Sequence, residues 1–466
     1  MKTLLVFIAG FACLAHAQTT APGGPDWAKV NAETLGYYRA AIQMDTTSGG
    51  ETKLAEYVKG VLDANGIPAV VVAKEAGRGN VIARLKGNGS KKPLLIMGHL
   101  DTVKVDPAKW KFPPFSAQQD GGFVYGRGTL DDKDNLTASL MTMLLLKRSG
   151  MALDRDVIFV AEAGEEGNST IGAGFLVNEH WSEIEAEICL AEGGSVMRRG
   201  GQVRYALIQT TEKIPAGARL VAHGPAGHGS RPMRTNAILH LARAVDKIAM
   251  WDPPMRFNDT TRYYFEKLAT VSAPEDAARY NALFDPAKAA AAREYLAENE
   301  PGLYSMLHTS ISPNIINGGY QSNVIPSEAT ATLDIRALPD ENMPAFYELM
   351  RKVINDPSVE VVANGRGSRT ASAPSRIDSE AFRAIEAANR KVYSTVTLPQ
   401  MSTGATDMSY LRSRGVQCYG IGPMVDEEDA AKGFGAHSDQ ERLLEDALYK
   451  FVQFNWEVVT SLAGKK

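Results

Sequence analysis

Four short apolar runs limit what this chain can fold into: residues 93–98 (PLLIMG), 156–161 (DVIFVA), 187–191 (EICLA) and 416–421 (VQCYGI). None alternates cleanly between apolar and polar residues. A strand with one wet face alternates, whereas a strand covered on both faces reads as a continuous apolar run. The runs therefore predict buried strands of a parallel or mixed sheet flanked by helices, an α/β fold. Covering helices are expected over residues 27–44, 52–64, 136–148, 379–392 and 445–462.

From Lys213 the pattern changes to strand 219–223, helix 236–250, strand near 314–317, strand 329–336, helix 343–354 and strand 359–362. The order βαββαβ predicts a ferredoxin-like α+β unit inserted into the first domain. Residues 251–307, between its first helix and second strand, are too many for a plain loop and carry helical stretches, so a helical insertion is expected there. The expected organisation is a first domain over 18–212 and 371–466, with an inserted lid or dimerisation domain over 213–370. Residues 1–17 read as a secretory signal peptide: cationic Lys2, an apolar run from Leu4 to Leu14, and small residues at Ala15 and Ala17. That run is short of the roughly 20 residues a bilayer span needs. The expectation is a secreted or periplasmic protein with no membrane span once the leader is removed, Cys189 and Cys418 then being two buried free thiols or a disulfide. Lys and Arg number 50 against 54 Asp and Glu and form no basic stripe, so a nucleic-acid partner is not expected.

The functional signal is where the charged residues fall. His99 and Asp101 follow the first apolar run, Glu165 and Glu166 the second, and Glu192 the third. In open α/β sheets ligands bind outside the carboxyl ends of the strands. Several carboxylates gathered there cost several kcal/mol per ion unless cations compensate. His99 suits a metal ligand, with Asp101 two residues on to orient its ring. Asp131, in GRGTLDDK at the start of a helix, is a candidate bridge between two metals. Of the adjacent acids, one can ligate while the other accepts a proton from water. His437, in GAHSD, completes a second site, and His228, in GHGSRP, lies in the inserted unit beside glycines that permit close backbone approach. His180, His240 and His308 fall where a surface or packing role is expected.

In order along the chain, MGHLD, GRGTLDDKD, EAGEEG, LAEGG, GHGSRP, SNVIP, DIR, STGATD and AHSD resemble the zinc metallopeptidase family M20. That family includes glutamate carboxypeptidase, aminoacylase and succinyl-diaminopimelate desuccinylase. The likeness is greater to its vacuolar carboxypeptidase and N-acyl amino acid hydrolase branch. The resemblance implies a di-zinc exopeptidase catalytic domain, with cobalt or manganese also suited to such N/O sites. It implies that His99, Asp131 and Glu192 hold one metal and Asp131, Glu166 and His437 the other. Glu165 would be the general base, Asp101 the partner of His99, and His228 an oxyanion donor from the lid. Asn323, Arg336, Arg369 and Gly404 would meet substrate, and a cis peptide would follow Asp131. Some relatives have Asp where this chain has Glu192, which changes the reach to that metal. Two divalent ions against three carboxylates leave roughly one net positive charge, favouring an anionic substrate. The expected reaction is cleavage of an amide beside a free carboxylate, in a small peptide by a C-terminal exopeptidase or dipeptidase, with an N-acyl amino acid amidohydrolase as the alternative. A non-catalytic metal- or ligand-binding protein is the remaining reading. In relatives the lid mediates homodimerisation, whereas the helical insertion, if it covered that surface, would leave a monomer.

Overall fold

The computed structural model describes residues 24–47, 49–364, 369 and 371–465. The leader read over residues 1–17 lies outside them. A ten-stranded sheet runs in the order Ala69–Ala73, Gly79–Leu85, Val157–Glu162, Leu94–His99, Ile188–Ala191, Gln417–Gly420, Gln202–Glu212, Ser195–Arg199, Met424–Asp426, and Thr397–Ser402 also pairs with Gln202–Glu212. All four apolar runs lie side by side at its centre, and their mutual pairings are parallel. Leu94 and Ile96 pack into the core beneath the helices Trp27–Ile42, Lys133–Ser149 and Glu445–Ala463. Leu95 and Met97 point the other way, into a second core with Phe175, Leu176 and Leu411. Coverage on both faces is why the runs lack alternation.

Helix Lys133–Ser149 begins three residues before the apolar pattern at 136, and its first fourteen residues are all buried. Gly150, in the left-handed region at φ 63°, closes it. Strand Gln202–Glu212 was not marked by the sequence: Gln202, Arg204, Gln209 and Glu212 interrupt any apolar run, although it is buried toward its C-terminal end. Cys189 and Cys418 are free, buried and opposite each other on adjacent strands.

The chain leaves this sheet at Lys213 and enters a four-stranded antiparallel sheet ordered Ser310–Gly318, Glu328–Ala337, Ile214–His223, Val359–Ala363. In chain order these are its second, third, first and fourth strands, the ferredoxin-like arrangement. Helices Ala237–Ala249 and Met343–Ile354 share its core, and the residues of Glu328–Ala337 alternate between buried and more exposed positions, as a one-sided sheet requires. The segment 251–307 folds into helices Asp259–Val271, Pro274–Ala282, Ala289–Asn299 and Pro301–Ser305. These bury Phe265, Leu268 and Leu296 against Leu398 and Met401 of strand Thr397–Ser402, in the large sheet. The insertion thus leaves strand Ser310–Gly318, the edge of the small sheet, exposed.

Candidate metal centre

Parallel pairing brings the ends of the central strands to one side of the sheet. His99 is the last residue of its strand and pairs with Glu162; Glu192 directly follows Ile188–Ala191, and Glu165 and Glu166 follow Val157–Glu162. Gly98 lets the next helix approach, since a Cβ there would lie 2.7 Å from the Leu136 nitrogen and 3.0 Å from Asp132 Oδ2. That approach sets Asp131 beside His99, and the Asp131–Asp132 peptide is cis.

Two donor groups result, His99, Asp131 and Glu192 in one and Asp131, Glu166 and His437 in the other. In each, one ligand atom per residue lies within 4.8 Å of the others. His99 Nε2 is 2.8 Å from Asp131 Oδ1 and 3.9 Å from Glu192 Oε2. His437 Nε2 is 3.0 Å from both Asp131 Oδ2 and Glu166 Oε1. Asp131 therefore offers one oxygen to each group. His99 is fully buried, and its Nδ1 faces the Asp101 carbonyl at 3.0 Å and the Asp101 carboxylate at 3.6 Å. That carboxylate accepts the backbone N–H groups of Glu165 and Glu166, at 3.0 and 3.1 Å. Asp101 thus ties the histidine strand to the paired glutamates.

The electrostatics fit divalent ions. Burial, and then the neighbouring Glu165 charge, push the Glu192 carboxyl far above the ordinary range. Burial also raises Glu165, against the pull of His99 and Arg369. Hydrogen bonds donated to the Asp131 and Glu166 carboxylates carry His437 up to about 10. Burial carries Glu162 and Asp134 to about 8. Acids so crowded gain stability from positive charge, and a donor set of imidazole nitrogens and carboxylate oxygens suits a transition-metal or zinc ion.

The nominated substrate contacts divide. Arg369 reaches the centre, its Nη2 donating to Glu165 Oε1 at 2.7 Å with Asp407 at 3.7 Å. Arg336 does not: its guanidinium binds Asp334 on the small sheet, at 2.8 Å, and touches neither donor group. His228 lies opposite Val324 in a short antiparallel pairing, the Asn323 carbonyl accepts the Gly229 N–H at 2.7 Å, and His228 and Asn323 are both exposed. His228 Nδ1 accepts the Ser230 N–H at 3.1 Å. Gly404 is exposed after Thr397–Ser402, its N–H on Ser402 Oγ. His180 and His240 pair with Glu183 and Asp356, and His308 lies against the Tyr304 ring, in surface and packing roles.

A buried pair that the sequence reading missed holds the two loops together. Glu441 accepts Arg127 Nη1 at 2.6 Å and the N–H groups of Leu130 and Gly128 at 2.7 and 3.2 Å, while Arg127 Nη2 donates to the Ser438 carbonyl at 3.0 Å. The loop carrying Asp131 is thereby bonded to the loop carrying His437. The available signal was Glu441 standing four residues after His437, and Arg127 standing between two glycines four residues before Asp131.

The model of peptidase family M20/M25/M40 matches residues 95–460. An N-fatty-acyl-amino acid synthase/hydrolase of Xenopus tropicalis is 26% identical over 439 residues, 90% of this chain and 84% of that protein. A probable carboxypeptidase S-like protein of Dictyostelium discoideum is 31% identical over 281 residues, 58% of this chain and 53% of its own length. Among solved structures, the fold is similar to the M20 family metallo-carboxypeptidase Sso-CP2 of Sulfolobus solfataricus, with TM-score 0.67 and 21% identity over 92% of this chain and 99% of that one. It is also similar to a dinuclear metal-binding M20 peptidase of Bacillus subtilis, with TM-score 0.60 and 14% identity over 92% and 98%. The chain belongs to peptidase family M20/M25/M40, a family of metal-dependent hydrolases.

Proposed function

We propose that this protein is a two-metal hydrolase of amide bonds adjoining a free carboxylate, acting as a C-terminal exopeptidase or dipeptidase. The observation that carries this reading is the sharing of Asp131 between two donor groups with Glu165 beside them. His99, Asp131 and Glu192 would hold one ion and Asp131, Glu166 and His437 the other, zinc suiting the set best and cobalt or manganese also fitting. Bound there, the ions supply the Lewis acidity that polarises a carbonyl and makes water nucleophilic near neutral pH.

Glu165 is the proton acceptor, since burial raises its affinity for a proton and no ion needs it as a ligand. It returns that proton to the departing nitrogen. Arg369, against Glu165, is the cation placed to receive the substrate carboxylate, its planar fork matching two oxygens. His228 is the oxyanion donor. Because its Nδ1 accepts a backbone N–H, a neutral ring carries its proton on Nε2, free to donate. Its exposed position requires closure of the small domain or a second copy of the chain to bring it to the carbonyl. We take 213–370 as that lid, and the leader as directing export.

A second reading, hydrolysis of N-acyl amino acids, draws support from the Xenopus relative, as the exopeptidase reading does from the Dictyostelium one. The test is amine release from a panel of dipeptides and N-acyl amino acids, each with a free and an esterified carboxylate. Esterification should raise KM at least tenfold, about 1.4 kcal/mol of lost pairing. Equal kinetics for acid and ester would remove the carboxylate from the account.

A further inference from the structure

Arg369 stands between two carboxylates and is bonded to one of them. Its Nη2 donates to Glu165 Oε1 at 2.7 Å and lies 3.7 Å from Asp407 Oδ1, close enough for attraction between charges and too far for a hydrogen bond. Asp407 closes the STGATD motif, where the sequence reading gave it no role. It is 2% exposed, and among the described residues neither of its oxygens has a hydrogen-bond partner. A carboxylate shut away from water without donors is costly, and the cost falls once a guanidinium bonds to it. Burial and then the Glu165 charge push the Asp407 carboxyl far above the ordinary range, while Arg369 pulls it down.

The backbone around Asp407 is held in place by a second buried acid. Glu212 accepts the Thr406 N–H at 3.1 Å and the Thr406 hydroxyl at 2.6 Å, and Arg412, the last residue of helix Met408–Arg412, donates to the same carboxylate at 3.0 Å. The residue before Asp407 and the helix after it are thus tied to one glutamate. Asp407 is thereby a carboxylate whose position is set by its neighbours and whose oxygens are still open to a donor.

The proposed reaction makes two demands on Arg369 that its bond to Glu165 opposes. Glu165 needs its oxygens for the proton of the attacking water, and a substrate carboxylate needs the guanidinium that Glu165 holds. A movement of about 1 Å carries Nη2 to hydrogen-bond distance of Asp407 and frees Glu165. We infer that Asp407 is the second seat of Arg369, a positioning residue that takes the guanidinium from Glu165 and turns its remaining N–H groups to the carboxylate of the substrate. The inference rests on the role proposed above for Arg369. A guanidinium carries five N–H groups in one plane, enough to bond Asp407 along one edge and a second carboxylate along another.

The test is amine release from matched free-acid and ester substrates by the metal-loaded enzyme carrying Asp407→Asn, or Asp407→Ala if that variant fails to fold. The rise in KM that esterification causes in wild type should shrink to roughly threefold or less, through a higher KM for the acid and an unchanged KM for the ester. In an Arg369→Gln background Asp407→Asn should alter neither KM further, since it acts through the arginine. Thermal unfolding gives a readout without turnover. In Glu165→Gln the charge that holds Arg369 is gone and Asp407 is the carboxylate left beside it, so adding Asp407→Asn should lower Tm by roughly 2 °C more than the same substitution does in the wild-type background. An acid preference untouched by both Asp407 variants, kcat falling for acid and ester alike with KM unmoved, an equal effect of Asp407→Asn with and without Arg369, or an equal Tm shift in both backgrounds would overturn the inference. If wild type itself treats acid and ester alike, the carboxylate role proposed for Arg369 fails, and the unfolding comparison alone decides whether Asp407 is its second seat.

Discussion

At the scale of single residues, the chemistry is assigned to Glu165 and the geometry to groups behind it. Glu165→Gln should lower kcat by about 10²- to 10⁴-fold, the usual weight of a positioned base, with metal content per chain unchanged. Full activity in that variant would move the base elsewhere. Glu441→Ala should behave differently. It strands the buried Arg127 charge, a change that costs about 3–5 kcal/mol, releases the Leu130 N–H beside Asp131, and unanchors the guanidinium that holds the Ser438 carbonyl beside His437. Thermal unfolding should show the lost stability. Metal analysis should show the ion at Asp131, Glu166 and His437 depleted before the one at His99 and Glu192, whereas equal retention of both would make the pair merely structural. These two residues also mark how much of the centre was legible. Glu165 and Glu166 announced themselves because two acids after a buried strand have no bland place in a core. Arg127 and Glu441 did not, because 314 residues separate partners that each read as ordinary surface charge. The nominated arginines show the same limit, since one-dimensional order cannot tell Arg369, against Glu165, from Arg336, which the small sheet keeps against Asp334.

At the scale of elements, the central strands were legible because coverage on both faces removes their alternation, and the small sheet because coverage on one face keeps it. Strands such as Gln202–Glu212 were hidden by polar residues whose partners are distant: Glu212 is buried against Arg412 at 3.0 Å. The passage between the sheets rests on Lys213, whose buried ammonium donates to the Ser305 carbonyl and to the hydroxyls of Ser305 and Ser310 at 2.8–3.0 Å. Burial, aided by Arg336, lowers its pKa from 10.5 to about 7. Between those values the unfolded chain holds a proton that the folded chain lacks, so stability rises with pH across the window. Below about 7 the full cost of burying the ammonium is present. Denaturant unfolding of wild type and Lys213→Met at pH 6.5 and 9.5 should therefore show wild type gaining relative to the variant at the higher pH. A difference independent of pH would mean that Lys213 keeps its ordinary affinity for a proton.

At the scale of the whole molecule, the role proposed for His228 depends on how the small sheet is brought to the large one. Its edge strand Ser310–Gly318 is unpaired on one side and exposed, with Ile315 at 51%, Ile316 at 62% and nearby Tyr320 at 83%. Such an edge invites a second strand, and the helical insertion covers the large sheet instead. Sedimentation should give twice the mass of one chain, and Ile316→Lys should halve it; a wild-type monomer would leave lid closure as the route for His228. Among the described residues, no helix is long and apolar enough to cross a membrane. The central claim, two ions on a shared aspartate driving amide hydrolysis, is tested most directly by removing metal and restoring it in measured steps while following amine release from an N-acyl amino acid. Activity should vanish with the metal and return as zinc approaches two ions per chain, with Asp131→Asn binding neither ion tightly. Hydrolysis that survives complete metal removal, or that saturates with Asp131→Asn fully active, would contradict it.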